Sequence, residues 1–436
     1  MNYYKTKNVR KFEEQVKISA VLNEDFIDAG NKILQLIFKE YSGAVAIKLW
    51  NEEIVIGQED AEYSLIIRSP HVLQDVVSAG SFNQLDEAHL RGELLVEGEL
   101  EGVFDLLEFL QDRSFGFKEK VQLHLLVMKL KRKVSEEEKC LKRKTRRTIN
   151  SKDSIAHHYD VHNDFYRLFL DPEMIYSCAY FSDKDQNLHS AQQAKLDYLC
   201  KKLRLKSGEQ LLDIGCGWGG LAFWSAKNYG VRVHGITLSQ EQYDYATDRA
   251  RQLGLDQQVS FELRDYRDLK EGNYDKIVSV GMFEHIGTDN FPKYFSTVSR
   301  LLKPDGLFLN HGITNDTGWR DTPSTRFINS YIFPDGELAR ISDVTSAMEA
   351  QSLEILDVEA LRPHYALTLR HWIKKLEENK TEAVAIAGER IFRLWQLYMA
   401  GSSYYFTKGS TGLYQILACK SRQPWHLPLR REELYQ

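Results

Sequence analysis

The sequence predicts an α/β fold with a doubly wound, mainly parallel sheet and a small α+β region before it. From residue 205 onward, apolar segments of strand length alternate with helical segments, an order typical of parallel sheets covered on both faces. Four glycines in LLDIGCGWGG stand between the first strand and the first helix of this series, where such folds need a tight turn. Residues 43–68 instead alternate apolar and polar side chains, which predicts a small antiparallel sheet.

The individual elements follow from the spacing of apolar residues. Helical spacing occurs at 26–37 and again near 70–79 and 102–112. Further strands are predicted at 210–215, 231–237, 259–263, 274–280 and 307–313, and further helices at 221–229, 239–253 and 291–302. Residues 315–430 are rich in Trp and Tyr, and we expect them to form a helical lid over the carboxyl edge of the sheet.

Changes in composition and in the hydrophobic pattern divide the chain into three regions. Residues 1–115 are expected to form the small N-terminal α+β domain, and residues 116–150 a basic helical linker. Residues 151–430 are expected to form the catalytic domain. A chain of 436 residues is long enough for two or three domains of about 150 residues each.

Composition narrows the class of protein. The net charge of −5 argues against a chain that binds nucleic acid over its whole surface. No apolar run approaches the roughly 18 residues of a membrane-spanning helix, and the first residues lack the apolar core of a signal peptide. The five cysteines are scattered without CxxC spacing, so neither disulfides nor a zinc site is expected. These features predict a soluble, cytoplasmic enzyme.

The predicted linker has two competing interpretations. Apolar residues from Val121 to Leu130 give way to a run of Lys and Arg that ends at Arg147. The segment could be a solvated helix, or a basic amphipathic segment that lies on anionic lipid headgroups, at roughly 1 kcal/mol per basic residue. Nucleic acid is a third possibility, but the run lacks the interleaved aromatic residues that stack on bases.

The glycine cluster is the sharpest local signal for a cofactor. Glycine lets the chain turn tightly and lets a ligand lie against the backbone. Choosing Gly215, Gly217 and Gly220 also satisfies the dinucleotide pattern, so the spacing alone leaves both cofactor classes open. The preceding Asp213 and the bulky Trp218 favour S-adenosylmethionine (SAM) over a dinucleotide.

The ends of the next two strands refine this prediction. Dinucleotide folds place an acidic residue after the second strand to hold the ribose, but here that strand ends in Thr237-Leu238-Ser239. Gln242, one helical turn further on, could bind the same hydroxyls. The third strand is followed by Asp265-Tyr266, which could meet the adenine amino group and ring.

Between about residues 154 and 405 the chain resembles the cyclopropane fatty acid synthase family, which includes the mycolic acid cyclopropane synthases. The motifs that carry the resemblance are HHYDVHNDFYRLFLDPEMIYSCAYF, LDIGCGWGG, GITLSQEQ, RDYRD, VSVGMFEHIG, LNHGI and NSYIFPDG. Their common order is far more specific than any single glycine turn. The chain departs from the usual His-Thr-Ile at Gly312, and from the Trp-Glu of some relatives at Tyr266-Arg267.

The resemblance implies a Rossmann-like SAM-dependent methyltransferase fold and a reaction. Members of the family transfer the methyl carbon of SAM to the double bond of an unsaturated phospholipid acyl chain, and the loss of a proton then closes a cyclopropane ring. A bound bicarbonate ion is the implied base. The resemblance also implies a phospholipid substrate at the membrane surface, peripheral association with its inner face, and a homodimer.

The implied site residues fall into two groups. The bicarbonate holders carry over to Cys178, Glu284, His311, Ile313 and Tyr365, with backbone groups from Cys178 and Ile313. The SAM-binding residues carry over to Tyr176, Ser177, Gly215, Gly217, Thr237, Leu238, Gln242, Asp265 and Tyr266. Because an ionised Glu284 would repel an anion, the two are expected to share a proton.

Other interpretations of these residues remain open. Cys178 could be a nucleophile, although no activating histidine is evident and methyl transfer needs no thiolate. His157, His158 and His162 with Asp160 could suggest a metal cluster, but their spacing does not present two imidazoles on one helix face. We expect no metal.

Three other functions also stay open. A methyltransferase of the same fold could stop before ring closure, giving a methyl-branched lipid or an N-methylated small molecule. A nucleic-acid methyltransferase would have to flip a base, and the Asn/Asp-Pro-Pro-aromatic sequence usual in those that methylate amino groups is absent. A catalytically silent lipid-binding protein is opposed by the intact set Glu284, His311 and Tyr365.

Overall fold

The computed structural model describes residues 24–79, 82, 84–131, 162–333, 336–424 and 427–430. The chain forms two compact units. The first comprises Met1–His158 and Ala387–Gly401, and the second comprises Tyr159–Ile386 and Ser402–Gln436. The predictions that concern residues 1–23 and the linker residues 132–150 lie outside the described residues.

The first unit is a four-stranded sheet with helices. Its elements are α1 (Glu24–Ile37), β1 (Val45–Lys48), β2 (Ile54–Ile56), β3 (Tyr63–Ile67), α2 (Pro70–Ala79), α3 (Leu85–Arg91), β4 (Leu94–Gly98), α4 (Gly102–Asp112) and α5 (Phe117–Lys131). The strand order is β2-β1-β3-β4. The expected sheet was wrong in one respect: β1 and β3 run parallel, because the chain leaves β2 at the edge and returns along the other side of β1.

The core of the first unit joins its helices to the sheet. Helix α1 places Ile33, Leu34 and Ile37 on one face, at the 3–4-residue spacing that buries one side of a helix. Helix α5 buries residues of its own against the same core, among them Leu126 and Val127. The first half of the predicted linker therefore packs as part of this unit.

The second unit contains the larger sheet. Its elements begin with α6 (Asn163–Arg167), α7 (Leu188–Lys202), β5 (Gln210–Ile214), α8 (Gly220–Tyr229), β6 (Arg232–Thr237), α9 (Gln240–Gln252), β7 (Val259–Leu263), β8 (Tyr274–Val280), α10 (Phe291–Leu301) and β9 (Leu302–Asn315). They continue with α11 (Pro323–Tyr331), α12 (Ile341–Glu349), β10 (Leu353–Ala360), α13 (Arg362–Glu378), α14 (Lys380–Ala387), α15 (Glu389–Lys408) and β11 (Thr411–Lys420). Residues 402–408 of α15 belong to this unit and the earlier ones to the first.

The sheet has the predicted doubly wound topology. Its order is β10-β11-β9-β8-β5-β6-β7, and the five strands β9, β8, β5, β6 and β7 are parallel. The chain moves from β5 towards β7 on one side and then returns to β8 on the other. The carboxyl ends of β5 and β8 therefore form the topological switch point where such sheets bind ligands.

The expected lid was wrong for part of residues 315–430. This region contributes β10 and β11 to the sheet, and β11 runs antiparallel to both of its neighbours. Because β11 lies between β9 and β10 and runs opposite to both, β9 and β10 point in the same direction. Among the described helices, none combines the length and the apolarity needed to cross a bilayer.

Candidate active site

The glycine turn occupies the switch point. Gly215 has φ +81°, and a Cβ at this residue would stand 3.0 Å from the Cβ of Met282, just after β8. The amides of Gly215 and Cys216 both donate to the carbonyl of Ile236, at 2.9 and 3.0 Å, which ties the turn to β6. A Cβ on Gly217 would meet no described atom within 4 Å. The turn thus presents backbone to open space at the predicted SAM position.

The predicted ribose contacts lie together after β6. The Thr237 hydroxyl donates to Oε1 of Gln242 at 2.7 Å and accepts from the amide of Ser239 at 3.2 Å. Because Oε1 is used in this way, the amide nitrogen of Gln242 is the group that can meet a hydroxyl. Leu238 is 72% exposed, so its side chain can cover a ligand at this edge.

The predicted adenine contacts are partly engaged within the protein. Both carboxylate oxygens of Asp265 accept from the Arg267 guanidinium, at 2.9 and 2.6 Å, and this pairing lowers the pKa of Asp265. Tyr266 is buried, with its ring edge-on to Tyr294 at 5.2 Å. Their contact with adenine stays a prediction, and the free face of Tyr266 is small.

An aromatic series connects the SAM side of the site with Tyr365. The ring of Tyr176 stacks on Trp372 with centroids 5.2 Å apart. Trp372 in turn lies edge-on to Tyr365 at 6.2 Å, and Tyr365 packs against Phe406 at 4.7 Å. The faces of such rings attract positive charge.

Ser177 is held by two residues that the sequence analysis missed. Lys195 is buried and donates from Nζ to the Ser177 hydroxyl at 2.8 Å. Gln192, one turn earlier on α7, donates from Nε2 to the Ser177 carbonyl at 2.9 Å. A lysine and a glutamine three residues apart on an otherwise apolar helix face were the available signal, since Lys is almost never fully buried without a partner.

Cys178 is tied to the helix that carries Tyr365. The amide of the next residue, Ala179, donates to the Thr368 hydroxyl at 3.0 Å, and the Phe181 amide donates to Nδ1 of His364 at 3.1 Å. Both acceptors lie on α13. Burial raises the pKa of the Cys178 thiol far above its ordinary value, so this residue is held as a neutral thiol rather than as a nucleophilic thiolate.

Glu284 lies in the turn after β8. Its carboxyl group is buried, and Oε1 accepts from the amide of Ile313 at 2.8 Å. The last residue pair between β8 and β9 is Val280 with His311. The Ile313 amide lies beyond that pair and donates to Glu284 instead of to β8. Burial raises the pKa of Glu284 to about 7. Its second oxygen, Oε2, accepts no hydrogen bond from any described residue.

His311 lies on β9, opposite Gln415 of β11. The Gln415 amide nitrogen is 3.1 Å from Nδ1 of the imidazole, and an amide nitrogen can only donate. With the Gln415 amide in this orientation, the neutral ring carries its proton on Nε2. Neither Nε2 nor Gln415 Oε1 has a partner within the part of the chain that the structure describes. Burial lowers the pKa of His311 well below its ordinary value, and Lys195 and Lys202 lower it further.

Buried charged side chains influence the pKa values of the site residues. Burial lowers the pKa of Lys195 to about 8. Burial also raises the pKa of Asp213, at the end of β5, to about 7, against the influence of Lys195. Lys195 is thus a buried cation whose field reaches both Cys178 and His311.

The structure joins part of the predicted base site directly, through the contact of Ile313 with Glu284, and sets His311 two residues earlier on the same strand. Cys178 is linked to the helix of Tyr365 through Thr368. Glu284, whose pKa is about 7, can accept a proton, and the His311 imidazole can donate a hydrogen bond. Both side chains are buried away from bulk water. The roles of these residues stay predictions.

Of the alternative metal cluster, only His162 falls within the described residues. His157, His158 and Asp160 lie outside the described residues, and His162 accepts from the Asp164 amide at 3.3 Å at the start of α6. Across the described ranges, no group of three His, Cys, Asp or Glu side chains is arranged to hold a metal ion.

A doubly wound sheet with a glycine turn at its switch point and buried titratable side chains beside it has the architecture of a Rossmann-like SAM-dependent methyltransferase. Comparison with known sequences places the chain within that class. Residues 146–416 match the family described as mycolic acid cyclopropane synthetase, and the chain belongs to this family. It is accordingly a SAM-dependent methyltransferase, with SAM as its co-substrate.

Three relatives illustrate the similarity. A probable fatty acid methyltransferase of Pseudomonas putida is 38% identical over 396 residues, which cover 89% of this chain and 96% of the relative. The cyclopropane-fatty-acyl-phospholipid synthase of Escherichia coli K12 is 43% identical over 260 residues, covering 60% and 66%. The crystal structure of the mycolic acid cyclopropane synthase CmaA1 complexed with SAH and CTAB is 35% identical, with a TM-score of 0.57 over 61% of this chain and 97% of that one.

Proposed function

We propose that this enzyme transfers the methyl carbon of SAM, as a methylene, to the cis double bond of an unsaturated phospholipid acyl chain and closes a cyclopropane ring. The observation that carries the proposal is the pair of buried polar atoms Glu284 Oε2 and His311 Nε2, neither of which has a partner among the described residues. Buried polar atoms are nearly always hydrogen-bonded, so each of the two calls for a polar partner, and a single anion between them would serve both.

A bicarbonate ion fits the chemistry of this pair. The Nε2–H of neutral His311 is a donor, and a carboxyl group with a pKa of about 7 is partly protonated near neutral pH. Because Oε1 of Glu284 accepts from Ile313, a proton on the carboxyl group would reside on Oε2 and would point a second donor at the ion. Glu284 would therefore attract the anion instead of repelling it. The Ile313 amide supports Glu284 here rather than the ion itself.

When bound, bicarbonate would supply the base that collects the proton released on ring closure. Residues of the protein would position the ion and then accept that proton from it. His311 stays neutral because its pKa is far below 7, so it donates a hydrogen bond and does not compete for the proton. Glu284, with a pKa of about 7, can release the proton on Oε2 and then take up the one that the ion has collected.

The aromatic series would serve the positively charged stage of the reaction. An alkene is a weak nucleophile, and methylation leaves positive charge on carbon. Tyr176 and Tyr365 are half-buried and can turn ring faces towards a cation, which such faces stabilise by about 0.5–2 kcal/mol each, while the fully buried Trp372 packs between them. Their apolar surface also excludes water, which would otherwise trap the cation.

We propose further that the substrate is reached at the inner face of the membrane, by a cytoplasmic enzyme that associates with it peripherally. The substrate chemistry supports this, because an acyl double bond is buried in the bilayer. The homodimer and the absence of a nucleic-acid partner stay predictions from the sequence.

A second candidate is a methyltransferase that stops before ring closure and leaves a methyl-branched acyl chain. The relative that covers 89% of this chain is a probable fatty acid methyltransferase, a name that does not specify a ring. The two reactions share every step up to the carbocation and differ in which proton is lost. The position of the base relative to the new methyl group decides between them.

The test is incubation of the enzyme with methyl-labelled SAM and mixed unsaturated phospholipid vesicles, followed by fatty acid mass spectrometry. We expect labelled acyl chains that have gained CH2 and resist mild hydrogenation, as cyclopropanes do. Labelled chains that take up hydrogen would favour the branched product. Label on an amine, or no transfer at all, would overturn the proposal.

A further inference from the structure

Helix α5 of the first unit has two apolar faces. One face packs Leu123, Leu126, Val127 and Leu130 into the core of the unit. The other carries Phe117, Val121, Leu125 and Met128, which are 84%, 44%, 57% and 53% exposed. We call these four residues the exposed stripe. The core accounts for the first face, and nothing in the fold of this unit requires the second.

The four exposed residues form one continuous surface. They are separated by four, four and three positions, and a rotation of about 100° per residue places them within roughly 80° of one another on the helix. Within the described ranges, eleven large apolar side chains are exposed, and four of them lie on this one helix. A contiguous patch of this kind marks an interaction surface, whereas scattered exposed residues do not.

Basic side chains flank the exposed stripe on both sides. The same rotation places the exposed Lys118 and Lys129 along one edge and the exposed Lys120 along the other. Glu119 is the one acid of the helix, and it turns away to accept from the amide of Gly116 at 2.9 Å. The stripe is therefore apolar in the middle and cationic at its margins.

The charge of the surrounding sequence is equally one-sided. Residues 117–150 contain twelve Lys or Arg and four Glu, a net charge of +8 in a chain whose total is −5. All other residues together therefore carry −13. A surface that combines exposed apolar side chains with flanking cations fits the boundary between anionic headgroups and acyl chains.

We infer that the exposed stripe is the surface by which this enzyme lies on an anionic phospholipid bilayer. The four apolar side chains enter the headgroup–acyl boundary, and the lysines reach outward to the phosphates. The inference rests on the proposed function for the location of the substrate and adds the residues that make the contact. A second copy of the chain is the less suitable occupant, because stripe-to-stripe packing would bring like charges together at both margins.

The experiment is flotation of the full chain with vesicles of phosphatidylglycerol and phosphatidylcholine, compared with phosphatidylcholine alone. We expect binding to the anionic vesicles, weakening as salt rises. Leu125→Glu and Phe117→Ser should each reduce the bound fraction about tenfold, because each removes a large apolar contact from the boundary. The matched control is Leu253→Glu, an exposed leucine of the second unit, which should bind as the wild type does.

Charge-reversal variants test the basic margins separately from the apolar residues of the exposed stripe. Lys118→Glu with Lys129→Glu should abolish binding at low salt, whereas Lys184→Glu with Lys227→Glu, at exposed positions of the second unit, should reduce it only slightly. Circular dichroism and the melting temperature establish that each variant is folded. Equal binding by stripe and control variants would overturn the inference, as would a change of oligomeric state in the stripe variants without loss of vesicle binding.

Activity on the same phospholipid in detergent micelles distinguishes this inference from the proposed function. The stripe variants should lose turnover on vesicles and retain it in micelles, where no bilayer must be reached. If the wild type transfers label to micellar lipid but does not float with anionic vesicles, the docking surface is wrong and the reaction stands. If no label is transferred under either condition, the proposed reaction is wrong. Flotation then still tests whether the exposed stripe binds the vesicles.

Discussion

The amide nitrogen of Gln415 lies 3.1 Å from Nδ1 of His311, across the pairing of β11 with β9. Because that nitrogen can only donate, it holds the neutral imidazole in the tautomer with its proton on Nε2. Gln415 is thus a positioning residue. It acts through His311 and decides whether the imidazole offers a donor or an acceptor to the proposed anion.

Replacing Gln415 should lower turnover without changing the affinity of the enzyme for SAM. In Gln415→Leu the tautomer is no longer fixed, and in Gln415→Glu a carboxylate would accept from Nδ1–H and make Nε2 an acceptor. We expect turnover to fall about 10- to 100-fold in both, with the larger loss in the glutamate variant. The measurements are steady-state kinetics and calorimetric titration with SAM.

A merely structural role for Gln415 would not change the tautomer. The ¹⁵N chemical shifts of His311 should report protonation of Nε2 in the wild type and of Nδ1 in Gln415→Glu. Gln257→Leu, at an exposed position, serves as the control and should alter neither the shifts nor turnover. Unchanged imidazole shifts in Gln415→Glu would contradict the assignment.

Glu284→Gln should retain SAM binding and lose at least about 100-fold in turnover. The amide can still accept from Ile313 and donate from the position of Oε2, so the geometry is preserved. It cannot, however, take up and release a proton. Glu354→Gln, on the exposed side of β10, is the matched control. Turnover near that of the wild type in Glu284→Gln would remove Glu284 from the proposed proton path.

The same variant should reveal the pH dependence that Glu284 imposes on stability. Its pKa is about 7 in the folded chain, against an ordinary value of 4.5, because burial disfavours the carboxylate. Below pH 4.5 the group is protonated in both states and has no effect. As the pH rises towards 7 the unfolded chain ionises first, so folding becomes less favourable, by about 3 kcal/mol once the pH exceeds 7.

Glu284→Gln removes this cost, so its melting temperature relative to the wild type should rise between pH 5 and pH 8. Calorimetric melting of both proteins at several pH values measures the difference. Asp213, whose pKa is also raised to about 7, titrates in both proteins and cancels. A difference in melting temperature that stays constant over this range would show that Glu284 is not perturbed by burial.

Much of the fold was predictable because the signals were local. The alternation of strands and helices after residue 205 and the glycine turn at Gly215 depend on neighbours in sequence, and the structure confirms both. The parallel pairing of β1 with β3 could not be predicted, since apolar alternation reports which face is buried and not which strand lies alongside.

The residues that support the site could not be identified from the sequence for a related reason. Cys178, Glu284 and His311 lie in motifs that resemble those of a known family, whereas Lys195 and Gln415 act only through distant partners, Ser177 and His311. Residues 387–401 join the first unit through contacts such as the ion pair of Arg390 with Glu87, about 300 positions earlier. Spacing along the chain can indicate that a residue such as Lys195 is buried, but it does not identify the distant partner.

Lys195→Met should weaken SAM binding. Methionine keeps an apolar stem of similar length but cannot donate to the Ser177 hydroxyl, so the predicted SAM residue loses its anchor. We expect the dissociation constant for SAM to rise about tenfold by calorimetry. Lys201→Met, at an exposed position of the same helix, is the control and should bind SAM as the wild type does. Equal affinity in the two variants would contradict the anchoring role.

Gly312 is required by the ring of Phe283. A Cβ on Gly312 would stand 1.8 Å from a ring carbon of Phe283, which is itself buried and directly precedes Glu284. Gly312→Ala should therefore force the ring aside, lowering stability by about 1–3 kcal/mol and turnover with it, because Glu284 moves with its neighbour.

Adding Phe283→Leu to Gly312→Ala should restore most of the lost melting temperature, since the smaller side chain vacates the position that the new methyl group needs. Gly116→Ala is the control, because the nearest atom to a Cβ there is a carboxylate oxygen at 3.7 Å. Thermal melting of the wild type, of Gly312→Ala, of Phe283→Leu and of the double variant completes the cycle. If the two substitutions are simply additive, the close approach of Phe283 is not what requires glycine at this position.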